Sequence, residues 1–546
     1  MRNTRALTVA CIGFLSLALA ACDSSKTSST SGSTSDSTSS SASGGTSGST
    51  SGGTSGKAFN KDASLRIATL YNFTQLDPHK QAIGAEQQLI VNLYDRLLNV
   101  DSDLRIQPML ATSWAFSDEG MTFTMQLRTD VKFHDGTQLD ADAVKKSLDR
   151  AIGMKGSTVA PNLTAIKVVD VVDPATVRLS LSSQAAHLPY VLAQVDGAVV
   201  NPKCIDDGSD LSKGDLGRCG SGPWEVKSFT AGQEASFVRA QTPYWDADAG
   251  QIKTLGYTRF SDANTVLNAL NSRQADVAVI PASIREAASR VPDIKFYDFE
   301  TDSSVTFIFN ASNSGVKDAR VRQAFAYAIN REEIGKQLLD GTCVASPQPW
   351  LPSSIAYDQS LTAAGAYDPE KAKQLLKDAG KSEGAAVTVT VIQGQQPAVS
   401  VATAVQAQVA KVGITLKLRY DLASNVGSLL AAGTVDGVMF NIPGKPHPFL
   451  WLQRNILPNG TLFKAASDEK GAELIKLADD TIRSSASTDE LRAQWTKISG
   501  LLRKEAWDVP VCRQIMTMAF PSDTVNVQTM GLTSTGFFDP RYLARQ

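Results

Sequence analysis

Val387 to Ile392 is a continuous β-branched run, followed by a helical stripe and then a second strand, and that order leaves few topologies open. Pro397 sits where a helix would begin, and Val401, Val405, Val409 and Val412 recur along one helical face. Gly413 marks the helix end, and Ile414 to Tyr420 reads as the next strand. Strand, helix and strand in this order require a crossover and therefore a parallel pair. Elsewhere the strands look half-buried. Met121, Phe123, Met125 and Leu127 alternate with Thr122, Thr124, Gln126 and Arg128, a period of two. Asp140 is placed to cap a helix carrying Val144 and Leu148 on one face. Asp318 is placed to cap another running through Ile329, and Asn330 with Glu333 has capping-box spacing for the next. Asp368-Pro369 opens a further helix that Gly380 closes. The expected class is α/β with mixed sheets. Residues from about 57 to 546 are too many for one ordinary core, so two or more lobes are expected.

The N-terminus has a different character. Arg2 and Arg5 precede an apolar run from Ala6 to Ala21, the layout of a secretory signal over residues 1–21. Leu19-Ala20-Ala21-Cys22 resembles the bacterial lipobox, which implies cleavage before Cys22 and lipidation of its thiol. The run is shorter than the roughly 20 residues of a spanning helix. From Asp23 to Gly56 all but four residues are Ser, Thr or Gly, so residues 22–58 form a lipidated cysteine and a flexible linker. About 34 such residues reach roughly 30 Å. The expected location is the cell membrane, lipid-anchored on the extracytoplasmic side.

Outside the cell, cysteines favour disulfides. Cys204 and Cys219 flank a polar loop and are expected to pair, which leaves Cys343 for Cys512, although four cysteines allow three pairings. Zinc is the sharper alternative, but no CxxC or histidine accompanies these cysteines. A formal net charge of -2 offers no footprint for nucleic acid. An extracellular hydrolase would also suit a tethered α/β chain. No GxSxG or HExxH segment is present, however, and the four histidines, His79, His134, His187 and His447, are scattered. No cofactor and no resident metal are expected.

A series of motifs is more specific. Leu110-Ala111-Thr112-Ser113-Trp114, Ser117 to Phe123, Leu127-Arg128 and Val131 to Thr137 together resemble the signature of family 5 extracellular solute-binding proteins. Leu76-Asp77-Pro78, Asn92 to Leu97, Gly220 to Trp224, Tyr244-Trp245, Phe309-Asn310, Val321 to Ala324, Ala328 to Arg331 and Tyr367 to Ala372 follow in that family's order. The resemblance implies a two-lobed, periplasmic-binding-protein-like clamp. Lobe I would span 59–309, with a subdomain at about 100–200, lobe II would span 310–522, and residues 523–546 would return to lobe I. It also implies a monomeric, non-enzymatic receptor that traps a solute, a peptide by family frequency, and delivers it to an ABC permease. No GxxxxGK[ST] segment is present, so the ATPase would be a separate polypeptide.

Most motif residues read as structural. His134 to Gly136 is expected in a strand end and turn, and Tyr244-Trp245 in a packed corner. By the resemblance, ligand contacts fall in Tyr71-Asn72-Phe73 and in Phe440 to Trp451, which makes Asn72, Phe73, Asn441, Lys445, His447 and Trp451 the candidate site residues. In peptide receptors of this family an aspartate in the second loop pairs with the peptide's α-amine. Here Phe440 to Trp451 contains no Asp or Glu. An inward Lys445 would attract a carboxylate or phosphate, with His447 as a donor and Trp451 as a stacking face. The competing reading is a solvated Lys445 on a proline-stiffened rim. N-blocked peptides, oligosaccharides, aromatic or other anionic acids and metal chelates stay open as ligands. Two histidines facing one cleft would favour metal, whereas Trp, Phe, Asn and Lys would favour an organic solute.

Overall fold

A computed structural model describes residues 59–81, 86–213, 217–364, 366–457, 469–483, 488–529 and 538–546. The signal segment, Cys22 and the Ser/Thr/Gly linker lie outside these residues.

The run that begins at Val387 forms the expected crossover. Ala385–Ile392 lies parallel to Ile414–Asp421, and Ala398–Ala410 is the helix between them. Val387, Val389 and Val391 point into one core with Val401, Val405 and Val409 of that helix. Gly413 adopts φ +95, a left-handed conformation that suits glycine at a helix end.

Among the described residues these strands belong to an 11-stranded sheet. From one edge its order is Ile414–Asp421, Ala385–Ile392, Gly437–Ile442, Ile294–Phe309, Asp508–Pro521, Val277–Val279, Ser64–Thr69, Thr254–Arg259, Glu234–Arg239 and Trp224–Thr230. Cys343–Ala345 pairs to Asp508–Pro521 off this path. The sheet is mixed, because Ala385–Ile392 and Ser64–Thr69 each have two parallel neighbours while the remaining pairs are antiparallel. The two long central strands join its halves. Their pairing shifts register between Glu300 and Ser304, opposite Arg513 to Ile515. A register shift bends the strands and leaves backbone unpaired, so the sheet is least regular where its halves meet.

A second sheet is antiparallel, in the order Ala111–Ser117, Thr122–Leu127, Thr176–Leu181 and Ile166–Asp173. The helix Ala141–Gly153 covers it. Its Asp140 cap accepts the Ala143 N–H, and Phe123, Met125, Val144, Leu148 and Leu179 share one core. The fold is thus the two-lobed, periplasmic-binding-protein-like clamp, with mixed sheets and an added subdomain.

The C-terminal residues pack with the first half of the chain. Thr524–Val525 pairs with Ala544–Arg545, and Phe538 and Leu543 join the core of Leu65, Phe73, Trp224 and Tyr257. Arg541 and Arg96 bind Asp539, and Arg541 also reaches Asp95, all of them buried. Asp95 further accepts the Tyr244 hydroxyl at 2.6 Å, the Trp245 indole N–H at 3.1 Å and the Ser221 hydroxyl at 3.1 Å. Tyr244-Trp245 is therefore a packed corner. His134 bonds to the Gly217 and Gly222 carbonyls at 2.7 and 2.8 Å, beside the turn in which Gly136 has φ +81.

One local reading changes. The helix capped by Asp318 ends at Tyr327, short of Ile329. Asn330 takes a non-helical backbone so that its side chain can accept the Glu333 N–H, which forces the first helix to stop before it. The helix that follows is brief, because Arg331–Glu333 passes into a π-turn over Ile334–Leu338. The structure joins Cys204 to Cys219 and Cys343 to Cys512, which leaves these sulfurs no thiolate for zinc.

Candidate ligand site

Gly437–Ile442 leaves the large sheet and runs through Pro443 to Pro446 into the helix Pro448–Asn455. His447 caps that helix, since its Nδ1 accepts the Phe449 N–H at 3.2 Å, and Pro448 occupies the first helical position. The segment lies against the subdomain. Leu450 packs into the subdomain core, and the Ala186 N–H donates to the Ile482 carbonyl at 3.0 Å. Aromatic rings line the meeting. His447 lies 4.8 Å from Tyr190, 6.3 Å from His187 and 5.6 Å from Trp495, and Phe449 lies 4.7 Å from His187.

Both histidines are neutral near pH 7. Burial lowers the His187 pKa to about 4. Burial, and then the charge of His187, lower that of His447 to about 3. Lys445 is half-buried, and its pKa is depressed by burial first and then by the Arg454 charge, with Asp196 opposing. Asp196 comes from the subdomain, where burial raises its pKa and Asn162 donates to it at 2.7 Å.

The other candidate residues are dispersed. Asn72 is exposed in the turn after Ser64–Thr69. Phe73 is fully buried with its ring 6.2 Å from Phe229. Asn441 is held by neighbours, its N–H on the Gln395 side chain and its amide on the Gln396 carbonyl. Trp451 is buried and meets Trp350 edge-on at 5.1 Å, with its indole N–H unpartnered. Of the six, only Lys445 and His447 stand at the meeting with the subdomain.

Tyr190, Asp196 and Trp495 are absent from the sequence-based site. They converge on the segment from more than 200 positions away or from the helix Thr488–Glu505, and no local spacing signals that. Among the described residues no group of three or more His, Cys, Asp or Glu could hold a metal ion, and no helix is long and apolar enough to cross a membrane.

Comparison with known proteins agrees with this architecture. The profile of bacterial extracellular solute-binding proteins, family 5 Middle, matches residues 105–455. Over 360 residues the chain is 30% identical to the glutathione-binding protein GsiB of Salmonella paratyphi A, a match covering 64% of this chain and 68% of that one. NikA from Brucella suis, in complex with Fe(III)-EDTA, has a TM-score of 0.78 at 22% identity, covering 88% of this chain and all of NikA. The oligopeptide-binding protein AppA from Bacillus subtilis, in complex with a nonapeptide, has a TM-score of 0.70 at 20% identity and covers 88% of this chain and 99% of AppA. With the Leu110 to Thr137 motifs laid on the subdomain sheet, the chain belongs to the bacterial extracellular solute-binding proteins of family 5, the substrate-binding components of ABC importers.

Proposed function

We propose that this chain is a lipid-anchored receptor, held outside the membrane by Cys22 and its linker, that traps a solute between two lobes. Residues 59–309 with 523–546 form the first lobe and residues 310–522 the second. They turn about the register shift at Glu300 to Ser304 and its partner Arg513 to Ile515. The observation that carries this reading is the meeting of His187 and Tyr190 of the subdomain with His447. The loaded, closed form is what an ABC permease with separate ATPase subunits recognises. The receptor is a monomer until it docks and performs no chemistry on its ligand.

Lys445 and His447 contact the ligand, and Asn72, exposed in the turn after Ser64–Thr69, is a further candidate contact apart from them. Phe73, Asn441 and Trp451 support the fold around the candidate loops, Phe73 in the core with Leu65 and Trp224, Trp451 against Trp350, and Asn441 on Gln395 and Gln396. Peptide is the first ligand class to test, since a relative binds glutathione. The test is thermal unfolding of the mature chain against free and N-blocked peptides, glutathione, oligosaccharides, aromatic acids and nickel chelates. A ligand at 100 times its Kd adds about 2.7 kcal/mol to the folded state, so the midpoint rises by degrees. No shift with any class would sink the receptor reading.

The facing pair His187 and His447 favours a second reading, a metal chelate completed by the two imidazoles. A shift with a nickel chelate that disappears in His187→Ala would support it over an organic ligand.

A further inference from the structure

Two cations ride on the segment that meets the subdomain, Lys445 just before the capping His447 and Arg454 in the last turn of the helix. Both are half-buried, and among the described residues neither makes a hydrogen bond or an ion pair. Each is pushed toward its neutral form by burial, and Lys445 also feels the charge of Arg454. The carboxylate acting on Lys445 is Asp196, anchored by Asn162 at 2.7 Å. His187 and His447 stay neutral, and burial and then the charge of Asp101 push the Tyr190 phenol up, so Asp101 is the further carboxylate on the Tyr190 side. Among the described residues Lys445 thus has Asp196 as its one opposing carboxylate and Arg454 has none acting on it, so the two half-buried cations are incompletely balanced. Such an arrangement is costly unless a further anion completes it.

We infer that Lys445 and Arg454 form an anion-binding subsite that takes a carboxylate or phosphate of a negatively charged solute. This rests on reading the meeting with the subdomain as the ligand site, and it names the ligand's chemical class. The rings of Tyr190 and His447, 4.8 Å apart, give the same site an apolar wall for the rest of the solute. The loop's lack of an acidic residue becomes intelligible, because its charge is arranged for an anion.

The probes are succinate and inorganic phosphate, each compared with sodium chloride at equal ionic strength, with thermal unfolding of the mature chain as the readout. The wild type should show a saturable rise in midpoint with at least one probe beyond that with chloride. A response to succinate alone assigns a carboxylate ligand, and a response to phosphate alone assigns a phosphorylated one. Lys445→Gln and Arg454→Gln should each weaken the response at least tenfold. Without anion, Arg454→Gln should unfold at or above the wild-type temperature, since it removes a charge repulsion. The inference is overturned if neither anion exceeds chloride, if both variants respond like the wild type, or if Arg454→Gln lowers the anion-free midpoint. A doubly blocked peptide or neutral sugar that stabilises the wild type, with no response to either anion, would overturn this inference and leave the receptor reading standing.

Discussion

Asp95 shows how a recognisable motif residue serves the fold. It is buried and receives Arg541, Tyr244, Trp245 and Ser221, so it ties the C-terminal residues to the first half of the chain. Removing one partner of a buried ion pair strands the other, at about 3–5 kcal/mol. Asp95→Ala should lose stability of that order in a urea titration, and a loss as small as that of an exposed ion pair would contradict the role. The histidines make a pH-dependent statement. Unfolded histidine takes up a proton near pH 6.5, whereas His187 and His447 resist it down to about 4 and about 3. Their contribution is complete above pH 6.5 and is lost as pH falls toward 3. Asp302 acts in the opposite sense, since burial raises it to about 7 and its contribution fades as pH rises through that value. Replacing both histidines with glutamine should flatten the decline between pH 6.5 and 4 in chemical denaturation, and an unchanged slope would show that they titrate freely. The structural roles of His134 and of Tyr244-Trp245 were legible from residue type alone. The place of Asp196 was not, because Lys445, on whose charge it acts, is about 250 positions away in the sequence.

Among the elements, local chemistry was a good guide. The caps at Asp140, Asp318 and Asp368 all accept a backbone N–H, and the valine stripe of Ala398–Ala410 is buried as its spacing required. The miss at Ile329 arose where two local signals competed, since the Asn330 cap needed the non-helical backbone that ended the preceding helix early. The disulfides act on a longer range. Cys204–Cys219 closes a sequence separation of 15 and Cys343–Cys512 one of 169. Chain entropy assigns these loops about 3 and about 5 kcal/mol. Cys343→Ser with Cys512→Ser should therefore cost more stability than Cys204→Ser with Cys219→Ser. Equal losses in guanidinium titrations would count against the entropic account.

At the scale of the molecule, the class and the division into lobes follow from length and from alternating strands and helices. The convergence of residues 187–196 on 445–454 depends on how the subdomain seats against the rest, which no periodicity encodes. Two long strands carry both halves of the large sheet and lose register between Glu300 and Ser304. A receptor built this way should work by closing about the bend, and closure shifts a population that the ligand must bind preferentially. The most direct measurement is small-angle scattering of the mature chain with and without a ligand that raises its unfolding midpoint. The radius of gyration should fall on saturation and stay at its ligand-free value in a variant that no longer binds. A ligand that saturates the protein, as calorimetry would show, while leaving the radius of gyration unchanged would contradict trapping between lobes.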